Sequence, residues 1–214
     1  MHNIKRLFFI FLFLNPLVTS AQNHEIYDKS VASVVAIFGD VSIGSGVIIS
    51  SRGYVLTNWH VVENNPNFKV VTIGSGSFEE NVREAEIIKF DPTCDLALLK
   101  LKTMPSDMSV ISVSEIIPNI GDPVHAIGHP NGEVWSYSKG YISAYREDYS
   151  WKIEGKNFEG DVFQMQTPIN PGNSGGPLLN EYGNLVGINT FVNTKSQGIN
   201  YAVTVVEIIK FLSS

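Results

Sequence analysis

The stretch Gly172-Asn173-Ser174-Gly175-Gly176-Pro177-Leu178-Leu179 decides how this chain is interpreted. A serine between glycines, directly ahead of an apolar run, predicts a hydroxyl raised on a tight turn that leads into a strand. Such a turn leaves backbone N–H groups uncovered, and these can hold the oxyanion that forms when a serine attacks a carbonyl. Glycine-rich turns are also common as purely structural elements. The serine therefore needs a base and a carboxylate elsewhere in the chain.

Outside this turn, the chain consists of short apolar or alternating runs that are separated by Gly, Asn and Pro, the pattern of β-strands. Six runs lie on each side of a linker near residues 112–122. The predicted strands are Val31–Phe38, Gly46–Ser50, Tyr54–Thr57, Phe68–Ile73, Glu84–Phe90, Leu96–Leu101, Val124–Gly128, Lys139–Tyr145, Asp161–Gln166, Pro177–Leu179, Leu185–Thr190 and Ile199–Val203. Without alternating helices, this spacing predicts an all-β fold with barrel or sandwich packing.

Two further segments complete the predicted organisation. Thr204 and Glu207 have the spacing of a capping box and are followed by apolar residues, which predicts one helix at the C-terminus. Residues 131–159 are rich in Gly, Tyr, Trp and charge. We interpret them as exposed loops that flank a cleft.

Residues 1–21 predict a secretory signal peptide. Lys5 and Arg6 precede an apolar run from Leu7 to Leu14, and Thr19-Ser20-Ala21 has the small residues of a cleavage site. The run is too short for a membrane span, and an uncleaved anchor is the alternative interpretation. Cleavage after Ala21 leaves a mature domain of residues 22–214, for which we expect a secreted or periplasmic location.

The amino-acid composition limits the cellular compartments and the classes of binding partner that we expect. The chain carries a formal net charge of −6, and the predicted leader removes two basic and no acidic residues, which makes the mature charge −8. This acidic balance argues against nucleic acid and against anionic membranes as partners. Cys94 is the only cysteine, which excludes an intramolecular disulfide. An exported domain without disulfides fits a bacterial envelope or exterior.

Two residues upstream have the chemistry that Ser174 needs. His60 follows the apolar run Tyr54–Thr57, so its ring is expected where a strand ends, and an imidazole can accept a serine proton near neutral pH. Asp95 stands directly before the run Leu96–Leu101, where burial is costly unless a donor such as a histidine N–H pairs with it. The order His, Asp, Ser is that of chymotrypsin-like enzymes and differs from the orders of α/β-hydrolases and subtilisins.

Seven segments resemble the protease domain of the trypsin-like family that includes the HtrA (Deg) proteases: GSGVIIS, GYVLTNWHVV, DPTCDLALLK, GHP, QTPINPGNSGGPLLN, LVGINT and GINYAV. The resemblance implies two perpendicular six-stranded β-barrels of the chymotrypsin-like type, about residues 28–115 and 120–214, with a short C-terminal helix. It implies that His60, Asp95 and Ser174 form a catalytic triad in the cleft between the barrels. It also implies an oxyanion hole built from the N–H groups of Gly172 and Ser174. Such an enzyme needs no cofactor and no metal.

The chain departs from the family at three points. No segment that resembles a PDZ domain follows the protease domain before Ser214, so we do not expect capture of substrates by such a domain within this polypeptide. Asn173 stands where trypsin has the aspartate of zymogen activation, so activation through that ion pair is not expected. About ten residues separate Ala21 from the first predicted strand, which does not support trimerisation through N-terminal residues and leaves the oligomeric state open.

The resemblance also gives a first view of the S1 pocket. Pro168, six residues before Ser174, cannot pair with Lys or Arg and argues against basic specificity. Asn189 stands on the strand where glutamate-specific relatives place a histidine, and Thr190 follows it. We assign these three residues to the S1 pocket and expect a small or medium apolar residue before the scissile bond. The Thr190 hydroxyl is also positioned to hydrogen-bond Asp95.

Other reactive side chains are predicted to have structural roles. Gly128 and Pro130 prevent the helix that would bring His125 and His129 together, so we expect no metal site there. His129 is predicted to lie in a turn beneath the cleft, and Cys94 to be a small packed residue.

The sequence therefore predicts a serine endopeptidase that acts on unfolded or exposed polypeptide segments. Two alternatives from other classes stay open. One is a chaperone-like or inactive binding protein of the same fold, and the other is an esterase that uses the same triad on small esters.

Overall fold

The structure, a computed structural model, describes residues 17–40, 43–105, 107–192 and 198–214. Strands dominate the described residues, and short 3₁₀ turns lie at Val31–Ser33 and Pro130–Gly132. In chain order the elements are α1 (Leu17–Ser30), β1 (Val34–Phe38), β2 (Ile43–Ser50), β3 (Tyr54–Thr57), α2 (Trp59–Val62), β4 (Lys69–Val71), α3 (Phe78–Asn81), β5 (Val82–Arg83), β6 (Ala85–Asp91), β7 (Leu96–Leu101), β8 (Pro123–Gly128), β9 (Ser136–Ile153), β10 (Lys156–Met165), β11 (Pro177–Leu179), β12 (Leu185–Val192), β13 (Asn200–Thr204) and α4 (Val205–Ser213).

The strands form two successive sheets. The first is a seven-stranded sheet in the order β5-β4-β1-β2-β3-β7-β6, and the second is a closed barrel in the order β10-β13-β12-β11-β8-β9. The ladders between these strands are antiparallel. The predicted all-β fold of the chymotrypsin-like type is confirmed. The first sheet has one strand more than the six predicted, because the two-residue β5 extends it.

Alternate side chains of β1 and β2 fill two different cores. Val35 and Ile48 pack inside the first sheet. Val34 and Val47 point the other way and join a cluster with residues of the second barrel, such as Leu185. Successive side chains of a strand point to opposite faces, and here both faces are buried. This double burial explains why the strands read as continuous apolar runs rather than as alternating ones.

The segment 131–159, which we interpreted as exposed loops, largely forms the long β9–β10 hairpin. Lys156 pairs with Ile153 across the two-residue turn Glu154-Gly155, whose φ angles are 48° and 85°. Two successive positive φ angles are typical of a type I′ turn, which suits the twist of a hairpin. Trp151 and Phe158 lie opposite each other and are only 6% and 4% exposed. The loop interpretation was wrong, because a two-residue turn joins two strands in which Trp151 and Phe158 are buried.

The predicted C-terminal helix is confirmed as α4. Its N-cap Thr204 accepts a hydrogen bond from the Glu207 N–H, and Ile208 and Phe211 are buried. Ile209, one of the apolar residues that follow Glu207, is 46% exposed. Three further helices, α1 to α3, were not predicted. The predicted signal peptide falls largely on residues outside the described ranges and stays a prediction, and none of the described helices is long and apolar enough to cross a membrane.

His129 lies at the junction of the two sheets. Its ring is fully buried, with Nδ1 2.8 Å from the Oγ of Ser45 on β2. The Ser45 hydroxyl donates its single hydrogen to the Gly172 carbonyl at 2.7 Å, so the His129 Nδ1 must carry a hydrogen and donate to Ser45. Burial lowers the pKa of His129 to about 4, which keeps the ring neutral at pH 7. The predicted turn beneath the cleft is confirmed, since the carbonyl of His129 lies against Gly172.

The burial of His129 predicts a pH-dependent stability. The unfolded chain binds this proton near pH 6.5 and the folded chain only near pH 4, so the stabilisation is complete above pH 6.5 and is lost as the pH falls towards 4. We expect this residue to lower the free energy of unfolding, measured with urea, by about 2 kcal/mol between pH 7 and pH 5. His129→Asn, which retains a donor for Ser45, should remove that part of the pH dependence. An NMR titration that gives His129 of the wild-type protein its ordinary pKa would contradict the prediction.

Candidate active site

Asp95 is fixed by its backbone as well as by its side chain. It enters β7 with a φ of 60°, a left-handed conformation that Asp tolerates better than most residues. Its carbonyl accepts hydrogen bonds from Asn58 Nδ2 at 2.9 Å and from the Trp59 N–H at 3.2 Å. The residue is fully buried. These contacts join the start of β7 to the segment that carries His60.

The Asp95 carboxylate is satisfied by three donors. Oδ1 accepts from the His60 N–H at 2.9 Å, and Oδ2 lies 2.7 Å from His60 Nδ1 and 2.8 Å from Thr190 Oγ1. An ionised carboxylate only accepts hydrogen bonds, so His60 carries its hydrogen on Nδ1 and has Nε2 free to accept a proton. The expected hydrogen bond between Thr190 and Asp95 is confirmed.

The turn around Ser174 depends on glycines. Gly172 and Gly175 have φ angles of 101° and 85°, and a Cβ at Gly175 would lie 2.2 Å from the Ser45 carbonyl oxygen. The Ser45 N–H in turn donates to the Ser174 carbonyl at 2.8 Å. Within the described part of the chain, the N–H groups of Gly172 and Ser174 donate to no acceptor. The turn that carries Ser174 therefore has two unpartnered N–H groups.

Thr190 connects Ser174 to the His60–Asp95 pair. The Ser174 hydroxyl donates to the Thr190 carbonyl at 2.9 Å, while the Thr190 hydroxyl donates to Asp95. Among the hydrogen bonds of the described residues, none joins Ser174 to His60, although both line the same cleft. Rotation about the Cα–Cβ bond of Ser174 would redirect its hydroxyl hydrogen.

The cleft has a volume of about 490 Å³ and lies between the two sheets. Its lining residues are Ile43, His60, Val61, Asn64, Asn65, Lys152, Ile153, Glu154, Ile169, Asn170, Pro171, Gly172, Ser174, Thr190 and Phe191. Residues of α2 and of the β9–β10 hairpin both line it.

Of the three residues assigned to the S1 pocket, only Thr190 lines this cleft. Pro168 is exposed, and its carbonyl accepts a hydrogen bond from Ser138 Oγ at 3.0 Å. Asn189 is fully buried, with its amide donating to the Pro177 carbonyl at 3.1 Å. The S1 roles of Pro168 and Asn189 thus stay predictions.

Sequence reasoning missed the apolar residues of the cleft, among them Ile169 and Phe191. Ile169 directly follows Pro168 and is 6% exposed. Phe191 directly follows Thr190 and stacks with Tyr201 and Trp151, at ring-centroid distances of 4.4 and 5.3 Å. The usable signal was the apolar character of Ile169 and Phe191 directly beside residues that we had singled out.

The other reactive side chains, those of Cys94 and His125, are buried in the protein. Cys94 is buried as predicted, and burial, reinforced by Asp91, raises the pKa of its thiol well above the ordinary value. A thiol that stays protonated is a poor nucleophile. His125 is buried with Nδ1 2.7 Å from the Tyr137 hydroxyl, and burial lowers its pKa to about 4.

Comparisons with known proteins agree with this geometry. Residues 44–188 match the family described as "Trypsin-like peptidase domain". The chain is 42% identical over 168 residues to the magnetosome formation protease MamE of Paramagnetospirillum magneticum. The matched region covers 76% of this chain and 22% of that relative. The chain is 37% identical over 171 residues to a probable periplasmic serine endoprotease, DegP-like, of Pseudomonas putida, with 77% of this chain and 33% of that protein covered. The chain thus spans about a fifth and a third of the lengths of these two relatives.

A solved structure shows the same architecture. The serine endoprotease from Yersinia pestis superimposes with a TM-score of 0.73 and is 31% identical, over 89% of this chain and 65% of that chain. The family match covers more than half of the present sequence and includes His60, Asp95 and Ser174. This chain therefore belongs to the trypsin-like peptidase family, and the proteins that it resembles include DegP-like and HtrA-type proteases.

Proposed function

We propose that this protein is a serine endopeptidase that cleaves peptide bonds through an acyl-enzyme on Ser174. The observation that carries the proposal is the hydrogen-bond path from Ser174 through Thr190 to Asp95 and His60, at the wall of one cleft. Membership of the trypsin-like peptidase family supports the same assignment.

The chemistry follows from the protonation states at the site. The Ser174 hydroxyl turns from the Thr190 carbonyl to His60, whose Nε2 accepts the proton as Oγ attacks the substrate carbonyl. Asp95 stays ionised and stabilises the imidazolium that forms. The N–H groups of Gly172 and Ser174 bind the oxyanion of the tetrahedral intermediate. His60 then returns the proton to the leaving amine, and water hydrolyses the acyl-enzyme.

The proposed substrates are unfolded or exposed polypeptide segments, with a small or medium apolar residue before the scissile bond. The apolar Ile169 and Phe191 in the cleft support this preference. We further propose a secreted or periplasmic location, supported by the predicted signal peptide and by the name of the periplasmic DegP-like relative. Neither a cofactor nor nucleic acid takes part in the proposed reaction.

The first prediction concerns the nucleophile. A fluorophosphonate probe should label the wild-type protein at Ser174, and casein should be cleaved. Ser174→Ala should abolish labelling and lower cleavage by about 10⁴-fold or more, because no other group can form the acyl-enzyme. Absence of labelling in a well-folded wild-type protein would favour the inactive binding protein, and cleavage of p-nitrophenyl esters without casein would favour the esterase.

The second prediction concerns the S1 pocket. Ile169→Ala enlarges the cleft, so kcat/KM for substrates with Phe or Leu before the scissile bond should rise about tenfold relative to those with Ala or Val. Mass-spectrometric profiling of cleavage products from a proteome-derived peptide library measures this ratio. Ile116→Ala, at a residue that is 73% exposed, is the matched control and should leave the profile unchanged. A wild-type preference for charged residues at this position would contradict the prediction.

The third prediction concerns Thr190. Thr190→Val keeps the shape but removes one of three donors to the buried Asp95 carboxylate, so kcat should fall about tenfold with little change in KM. Thr190→Ser restores the hydroxyl and should recover most of the activity. Steady-state kinetics with a peptide substrate measure both variants. Equal kcat for Thr190→Val and the wild type would show that the bond to Asp95 does not matter for the reaction.

A further inference from the structure

We propose that the β9–β10 hairpin positions His60, and that an ion pair between Lys156 and Glu63 fastens the tip of this hairpin to the end of α2. The proposal rests on the proposed function, because it gives Lys156 and Glu63 a positioning role for the proposed catalytic base. Neither residue belongs to the hydrogen-bond path from Ser174 to Asp95.

The ion pair links the two halves of the molecule. Lys156 is the first residue of β10, at the tip of a hairpin that belongs to the second barrel. Its Nζ lies 2.6 Å from Oε1 of Glu63, whose side chain is only 13% exposed. Glu63 is the C-cap residue that directly follows α2, and its N–H donates to the Trp59 carbonyl at 3.0 Å. The cation of the hairpin thus holds the last residue of the helical turn that carries His60.

The helix α2 needs such a support. It contains four residues, Trp59–Val62, and a single turn of helix has little stability of its own. Its orientation must therefore come from contacts with the rest of the protein. Asp95 fixes one side of it through the His60 N–H and the Trp59 N–H. Glu63 supplies a second attachment at the opposite end of the turn.

A second contact acts on the ring of His60 itself. Phe158, on β10, meets the imidazole edge-on, with ring centroids 6.5 Å apart and an interplanar angle of 64°. Phe158 is 4% exposed and stacks with Trp151 on β9 at 5.8 Å. The same hairpin that carries Lys156 therefore also limits the rotation of the His60 ring.

The hairpin also contacts the segments that carry the other residues of the site. The Glu159 N–H donates to the Thr93 carbonyl at 2.8 Å, two residues before Asp95. Trp151 stacks with Phe191 at 5.3 Å and 13°, next to Thr190. The hairpin is thus attached to three segments of the site, and the ion pair is the attachment at its tip.

The test compares the ion pair with a matched one far from the cleft. Lys156→Met should slow fluorophosphonate labelling of Ser174 about twofold to fivefold, and Lys156→Glu, which opposes Glu63, about tenfold or more. The double variant Glu63→Lys/Lys156→Glu restores the pair and should recover labelling, and so should Lys156→Arg. Lys102→Met breaks the exposed 2.9 Å pair between Lys102, which follows β7, and Glu84, which lies between β5 and β6, and should change nothing.

Two readouts separate positioning from general stability. With a peptide substrate, kcat should fall while KM and the thermal midpoint stay close to wild type. The rate of amide hydrogen exchange at residues 59–63, followed by mass spectrometry, should rise about threefold or more over the wild type in Lys156→Glu. In Lys102→Met this rate should be unchanged.

Each outcome is decisive. Labelling and exchange that are the same in Lys156→Glu and in the wild type would overturn the proposal. Faster exchange with unchanged labelling would overturn the positioning role, and so would a thermal midpoint that falls in step with the activity. A wild-type protein that never labels would instead overturn the proposed function, while the exchange data would still show whether the pair holds α2.

Discussion

Every polar atom of Ser45 is hydrogen-bonded at the junction of the two sheets, and the site depends on this residue. Its N–H donates to the Ser174 carbonyl and its hydroxyl to the Gly172 carbonyl, while that hydroxyl accepts from His129. Its own carbonyl accepts from Thr57 at 2.6 Å. Strand β2 of the first sheet thereby contacts the serine turn of the second barrel directly. The geometry of Ser174 is set by how the two sheets dock.

The proposed chemistry also needs this docking, because each sheet supplies only part of the site. His60 and Asp95 come from the first sheet, and Ser174 and Thr190 come from the second barrel. Thr190 uses both of its oxygens: its carbonyl accepts from Ser174 within the second barrel, and its hydroxyl donates to Asp95 across the boundary. Thr190, which the sequence predicted to hydrogen-bond Asp95, therefore also lies next to the proposed nucleophile.

The strands, the fold class and the close contact of His60 with Asp95 could be predicted because they depend on local apolar runs and on strand ends. The β9–β10 hairpin could not, since the burial of Trp151 depends on Phe191, forty residues further along the chain. The lining of the cleft by Ile169 rather than Pro168 depends on side-chain direction, which sequence spacing does not give. The rotamer of Ser174 could not be predicted either, because it depends on the hydrogen bond to the Thr190 carbonyl.

The two faces of β1 and β2 have a thermodynamic consequence. Val34 and Val47 share one apolar cluster with Leu179 and Leu185 of the second barrel, while their neighbours Val35 and Ile48 fill the first sheet. If one sheet unfolds, the apolar side chains of the other sheet that pack against it become exposed. Unfolding is therefore expected to be one cooperative transition. We therefore expect no accumulation of a half-folded protein that keeps one sheet and with it a part of the site.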